Sequence, residues 1–88
     1  MAIDGNELAR RLRQAREDAG INQQDAANAI GVHRSSITQM EAGNRSVSTL
    51  ELIRLAIEYG RPITWFLSEQ NSQREDVLVA LHRAAPSL

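Results

Sequence analysis

The stretch QQDAANAIGVHRSSITQMEAG, residues 23–43, has the clearest structural pattern in the chain. It reads as two short helical patterns on either side of a turn at Gly31, because glycine takes the positive φ at which a helix can end. Small side chains at Ala26, Ala27 and Ala29 allow the two helices to cross closely. The apolar residues expected to form one buried patch are Ile30, Val32, Ile37 and Met40.

The second helical segment keeps its other side polar. A helix that is held by one face and offers Arg, Ser, Thr and Gln on the other is suited to reading base edges in a major groove. Arg34 is the strongest candidate for specificity, because its guanidinium fork matches guanine O6 and N7. Alternatively, Arg34 contacts a phosphate, which positions the protein without specifying a sequence. The predicted base-reading residues are Arg34, Ser35, Thr38 and Gln39.

This ordered set of residues resembles the helix-turn-helix of the phage repressor/Cro-type (xenobiotic-response-element-like) family of bacterial transcriptional regulators. The resemblance covers about Leu8 to Leu67 and rests on these features: Gln23 at the start of a helix, the Gly31-Val32 turn, the Ile37…Glu41…Gly43 spacing and the Leu55-Ala56 pair. It implies an all-α, five-helix lambda-repressor-like DNA-binding domain in residues 1–70. A short C-terminal helix or tail, residues 71–88, would follow and serve oligomerisation or partner binding.

Composition restricts the function classes. At 88 residues the chain is long enough for one small domain, and it contains no cysteine. No apolar run approaches the ~18 residues that a membrane span needs. The net charge of −1 is unhelpful to DNA binding, yet every basic residue is arginine and four of them crowd residues 10–16. Since counterion release depends on local phosphate contacts, we expect modest non-specific affinity.

The first helix is expected to begin at Asp4 or Asn6 and to end at Gly20. Apolar residues recur along it at helical spacing, at Leu8, Leu12, Ala15 and Ala19. Most of its arginines are expected to lie on a solvent-exposed face of the helix. The family resemblance singles out Arg16 and Glu41, which it implies form a partly buried, bidentate ion pair between the first and third helices.

Five residues are predicted to contact DNA phosphates. Gln23 is either an exposed first-turn residue or a phosphate or base contact at a positive helix end, and the resemblance favours contact. His33 lies at a helix N-cap; a lone histidine without a partner at ligand spacing favours a cap over a metal site, with phosphate contact as the second reading. The predicted phosphate contacts are Gln23, His33, Asn44, Arg45 and Ser46.

The fourth helix carries two apolar stripes. Ser48 and Glu51 form a capping box at its start, and Asn22 is the corresponding cap of the second helix. One stripe matches the core pattern of the family, and the nearly opposite one must meet another surface. Three large apolar residues in succession, 65–67, cannot all point inward from one short helix. The predicted dimer or partner surface comprises Leu50, Ile53, Ile57, Trp65, Phe66, Val77, Leu78 and Leu81.

Two functions fit these patterns. The first is a sequence-specific regulator of double-stranded DNA, most simply a repressor, acting as a homodimer on a palindromic operator in the cytoplasm of a bacterium and encoded there or by a phage or plasmid. The alternative is a recognition module or an antitoxin- or adaptor-like protein that works mainly through a protein partner. We predict no catalysis, metal or cofactor, because the carboxylates and the two histidines are scattered and no phosphate-binding glycine loop occurs.

Overall fold

Five α-helices make up most of residues 4–68, the part of the chain that the computed structural model describes. They are α1 (Gly5–Asp18), α2 (Gln23–Ile30), α3 (Arg34–Glu41), α4 (Thr49–Tyr59) and α5 (Ile63–Leu67). No strand occurs within residues 4–68, which confirms the all-α prediction. The predicted C-terminal helix, with Val77, Leu78 and Leu81, and the boundary after residue 70 lie outside the described residues.

Three helices begin at side-chain caps that the sequence predicts. Asp4 accepts a hydrogen bond from the backbone N–H three residues later at 2.8 Å, and Asn22 does the same at 2.7 Å. Ser48 forms a complete capping box with Glu51, in which the two bonds measure 3.1 and 3.0 Å. Each cap satisfies backbone donors that would otherwise lack a partner in the first helical turn.

The C-terminal end of α1 differs from the prediction. The helix ends at Asp18, and Ala19 is its exposed C-cap residue. The expectation that Ala19 shares the buried face of Leu12 and Ala15 is therefore wrong, because the chain turns away at Gly20, where φ is +72°.

The turn at Gly31 sets the angle between α2 and α3. Gly31 has φ +72° and ψ +34°, the left-handed conformation that favours glycine. The buried side chains of Ala26 and Ala27 allow α2 to pack closely on α3 and α4. Ala29, also expected at the crossing, is exposed on the outer side of α2; two alanines rather than three provide the close approach.

One hydrophobic core joins all five helices. Its largest fully buried side chains are Leu12, Ile37, Met40, Leu55 and Phe66. α2 contributes Ala26, Ala27 and Ile30 to the same cluster. Because Ile37 and Met40 are both buried, α3 is held by one face and its opposite face is open.

The structure corrects the prediction for residues 65–67. Phe66 is fully buried and cannot belong to a dimer or partner surface. Trp65 is half-buried; its ring lies edge-on to that of Phe66, with centroids 5.1 Å apart, and 4.1 Å from the guanidinium carbon of Arg61. Leu67 is the exposed member. A five-residue helix points successive side chains about 100° apart, so that only one of the three enters the core centre.

Candidate nucleic-acid interface

The exposed face of α3 brings together the four predicted base-reading residues. Arg34, Ser35, Thr38 and Gln39 are all exposed, on the side of the helix away from Ile37 and Met40. No protein partner engages the guanidinium of Arg34 among the hydrogen bonds of residues 4–68. This face of α3 therefore presents both hydrogen-bond donors and hydrogen-bond acceptors, on side chains that lie about one helical turn apart.

His33 holds the N-cap position of α3 by its backbone alone. Its φ of −74° and ψ of 151° are those of a cap, yet its side chain makes no capping hydrogen bond. The predicted N-cap position of His33 is therefore confirmed, although the imidazole does not bond to the first-turn N–H groups. The imidazole remains exposed beside the exposed face of α3.

A buried ion pair fixes the C-terminal end of α3 to α1. Arg16 Nε lies 2.7 Å from one Glu41 carboxylate oxygen and Nη2 lies 3.0 Å from the other. Arg16 Nη1 also donates to the backbone oxygen of Ile21 at 2.9 Å. The side chains of Arg16 and Glu41 are only 12% and 5% exposed. The hydrogen bond to Glu41 raises the pKa of the Arg16 guanidinium above its ordinary value.

Gln23, at the start of α2, links this ion pair to the exposed face of α3. Its Nε2 donates to Glu41 at 3.1 Å, and its Oε1 accepts from the Thr38 hydroxyl at 3.1 Å. Gln23 is half-buried in a polar cleft lined also by Arg13 and Ala42. The side chain is thus neither a free first-turn residue nor fully available to DNA; one Nε2–H has no assigned partner.

The loop between α3 and α4 carries the other predicted phosphate contacts. Asn44 and Ser46 are exposed. The guanidinium of Arg45 is already paired with Glu51, at 3.2 and 2.9 Å. That hydrogen bonding lowers the pKa of the Glu51 carboxyl and raises that of Arg45. The pair reduces the positive charge that this loop offers, but a bidentate pair leaves other guanidinium N–H groups of Arg45 free of Glu51.

Arg11 is a buried arginine that the sequence prediction missed. Arg11 as a residue is only 7% exposed. Its guanidinium donates to the backbone oxygens of Trp65, Phe66 and Ser68 at the end of α5. Its Nε also contacts Glu7 at 2.8 Å. The spacing of Glu7 and Arg11, four residues apart on one helix, could have predicted their pair. Nothing in the sequence indicates the carbonyl partners of Arg11, which lie 54 to 57 residues away.

A second exposed surface lies on α4. Leu50, Ile53 and Ile57 are 56%, 40% and 75% exposed, and we call these three residues the α4 patch. They lie on the side of α4 opposite its buried residues, which confirms the second apolar stripe as a surface feature. None of the helices in residues 4–68 has the length and apolar content to cross a membrane.

Comparisons with known proteins agree with this geometry. A helix-turn-helix family model matches residues 12–66. A transcriptional repressor of the cryptic phage CTXphi, RstR of Vibrio cholerae, is 30% identical over 78 residues, which span 89% of this chain and 70% of that protein.

Solved structures with similar folds include two regulatory proteins. One is the restriction-modification controller protein C.AhdI of Aeromonas hydrophila, with a TM-score of 0.65, 28% identity, and coverage of 69% of this chain and 92% of that one. The other is the DNA-binding domain of the P22 C2 repressor, with a TM-score of 0.70, 21% identity, and coverage of 81% and 93%. The lambda-repressor-like fold is thereby confirmed. The chain belongs to the phage-repressor-like helix-turn-helix family of DNA-binding transcriptional regulators.

Proposed function

We propose that this regulator is a repressor that binds, as a homodimer, a near-palindromic site in double-stranded DNA. Each protomer places α3 in the major groove, and two α3 helices about 34 Å apart enter successive turns of the duplex. The function requires the compartment that holds the DNA, which for this family is the bacterial cytoplasm. Binding and release of DNA need neither a cofactor nor a reaction.

The observation that carries the proposal is the division of α3 into two faces. Ile37 and Met40 are buried at 1% and 2% exposure, while all four polar candidates point to solvent. The ion pair of Arg16 with Glu41 fixes this helix from its far end. A rigid helix with a polar outer face keeps its side chains in register with base edges, which direct readout requires.

The proposed phosphate contacts surround this face. His33 and the second Nε2–H of Gln23 lie at the N-terminal ends of α3 and α2, and Asn44, Arg45 and Ser46 follow the C-terminal end of α3. Phosphate contacts on both sides of a recognition helix fix its register on the duplex. Because Arg45 is paired with Glu51, the loop contributes polar contacts more than net charge, in keeping with the chain's total of −1.

The α4 patch supports the homodimer. Three large apolar side chains on one helix face favour burial against another surface. The same patch is the specific reason for the alternative, in which a different protein covers it and the chain acts mainly through that partner. The mass of the purified protein in solution separates these: a dimer supports the first, and a monomer that binds DNA only with a second protein supports the alternative.

The test of base reading is Arg34→Ala, with Arg54→Ala as a control of equal charge from exposed α4. If Arg34 reads a guanine, its loss weakens specific binding by about 1–3 kcal/mol and relaxes preference at one position of each half-site. If Arg34 contacts a phosphate, affinity falls equally for all sequences and the salt slope falls by about one. Titration of labelled duplexes at several salt concentrations measures both. An Arg34→Ala variant that binds as tightly and as selectively as the unmodified protein would contradict a role of Arg34 in binding.

A further inference from the structure

The direction of the hydrogen bonds around Gln23 is set by charge. The Glu41 carboxylate accepts from Arg16 at 2.7 and 3.0 Å and from Gln23 Nε2 at 3.1 Å. An ionised carboxylate has acceptors only, so the Gln23 amide must turn its NH2 group toward Glu41. The amide oxygen of Gln23 must then face away from Glu41, toward Thr38 one turn earlier on α3.

The Thr38 hydroxyl is the group that meets this oxygen. Thr38 Oγ1 lies 3.1 Å from Gln23 Oε1 and 3.2 Å from the backbone oxygen of Arg34. Both neighbours are acceptors without a proton, and a hydroxyl has one proton to donate. Whichever of the two receives it, the proton of Thr38 is used inside the protein. The exposed side chain therefore offers its oxygen lone pairs and its methyl group to a ligand.

From this chain of bonds we infer that Thr38 is a specificity-determining residue that acts as a hydrogen-bond acceptor and selects an exocyclic amino group, adenine N6 or cytosine N4, in the major groove. Those are the two amino donors on major-groove base edges, whereas guanine O6, thymine O4 and the purine N7 atoms are acceptors. An acceptor base atom would face lone pairs and gain no bond. The inference rests on the proposed function, since it assumes that α3 enters the groove.

Gln23 is, in the same arrangement, a positioning residue. Because its NH2 group is bound to Glu41, its oxygen accepts from Thr38 and leaves the Thr38 hydroxyl to act as an acceptor toward DNA. Gln23 itself touches no base. Removing its amide leaves Thr38 with one internal acceptor in place of two. The Thr38 hydroxyl then turns more easily to donate to a base, and its discrimination between amino and keto groups weakens.

The experiment pairs protein variants with base analogues in the site selected from random duplexes. Thr38→Val removes the hydroxyl and keeps the shape, while Thr38→Ser keeps the hydroxyl and serves as the control. Each adenine or cytosine of the site is replaced in turn by the analogue that carries hydrogen in place of the amino group. At one position per half-site, we expect that replacement to weaken binding roughly three- to tenfold for the unmodified protein and for Thr38→Ser, and not for Thr38→Val.

Gln23→Met supplies the second readout. It is expected to reduce the preference for the amino-bearing base over its keto counterpart at that same position, while the preference at other positions stays. The inference is overturned if the loss caused by Thr38→Val depends on a keto oxygen of the site instead of an amino group. It is also overturned if the loss depends on no amino group while Arg34→Ala still weakens binding to the same site. If no site is selected at all, the proposed function fails and the inference fails with it.

Discussion

At the scale of single residues, Arg16 connects three parts of the fold. Its guanidinium binds both oxygens of Glu41 on α3 and the backbone oxygen of Ile21 ahead of α2. Buried charges that lose a partner are left without solvent, and the cost exceeds the net worth of the intact pair. Arg16 therefore helps to fix the orientation of α3, together with the buried Ile37 and Met40.

We predict that Arg16→Ala destabilises the domain by about 3–5 kcal/mol, because the buried Glu41 carboxyl then retains only the Gln23 amide as a side-chain partner. The control is Arg13→Ala on the same helix, whose pair with Glu17 is long, 3.4 Å, and exposed; it should cost under about 1 kcal/mol. Urea denaturation followed by circular dichroism measures both. Similar small losses in the two variants would show that the Arg16 pair is not structurally important.

Residue environments were predictable where the cause was local or where the family supplied it. The Arg16–Glu41 pair follows from the resemblance, and the open face of α3 follows from the spacing of its apolar residues. The environments of Arg11 and Phe66 do not, because each is set by contact between α1 and α5, more than 50 residues apart in sequence. Likewise, Gln23 was expected to face DNA phosphates, and its bonds to Glu41 and Thr38 depend on the helix crossing.

At the scale of elements, the start of α4 and the loop before it form one unit. Glu51 closes the capping box with Ser48 and pairs with Arg45 through the same carboxylate. The loop that carries the proposed phosphate contacts is thereby tied to a helix. Such caps and glycine stops are local signals, which is why the first four helices could be placed from sequence. The end of α5 at Leu67 has no glycine stop, and the sequence does not place it.

Lowering the pH should destabilise the contacts between the start of α4 and the loop before it. The pKa of Glu51 is lowered in the folded protein, chiefly by the hydrogen bond to Arg45. A lowered carboxyl pKa contributes stability that is fully present above the ordinary value of 4.5 and is lost as the pH falls through the folded value. Glu51→Gln keeps a side-chain acceptor for the cap and removes the charge. We expect it to reduce stability at neutral pH and to lessen the further loss between roughly pH 5 and pH 3.

The measurement is the urea midpoint across that pH range, with Glu58→Gln as a variant of equal net charge on the same helix. An unchanged pH dependence in Glu51→Gln, compared with the unmodified protein, would contradict the assigned role of this carboxylate.

At the scale of the whole molecule, five short helices around one core present two separate surfaces. The outer face of α3 is polar, and the α4 patch is apolar. We propose that the first reads DNA and the second joins two copies. With a net charge of −1, attraction to phosphates is weak overall. The affinity for DNA must then come from specific contacts, and a second protomer doubles the number of these contacts.

Whether α3 reads DNA sequence is tested by selecting bound duplexes from a random pool at about 100 mM salt. We predict two half-sites with approximate two-fold symmetry, whose centres lie one helical turn (~34 Å) apart. Ile57→Glu, which places a charge in the α4 patch, should select a single half-site. Failure of the unmodified, folded protein to enrich any sequence, at this or lower salt, would contradict sequence reading by α3.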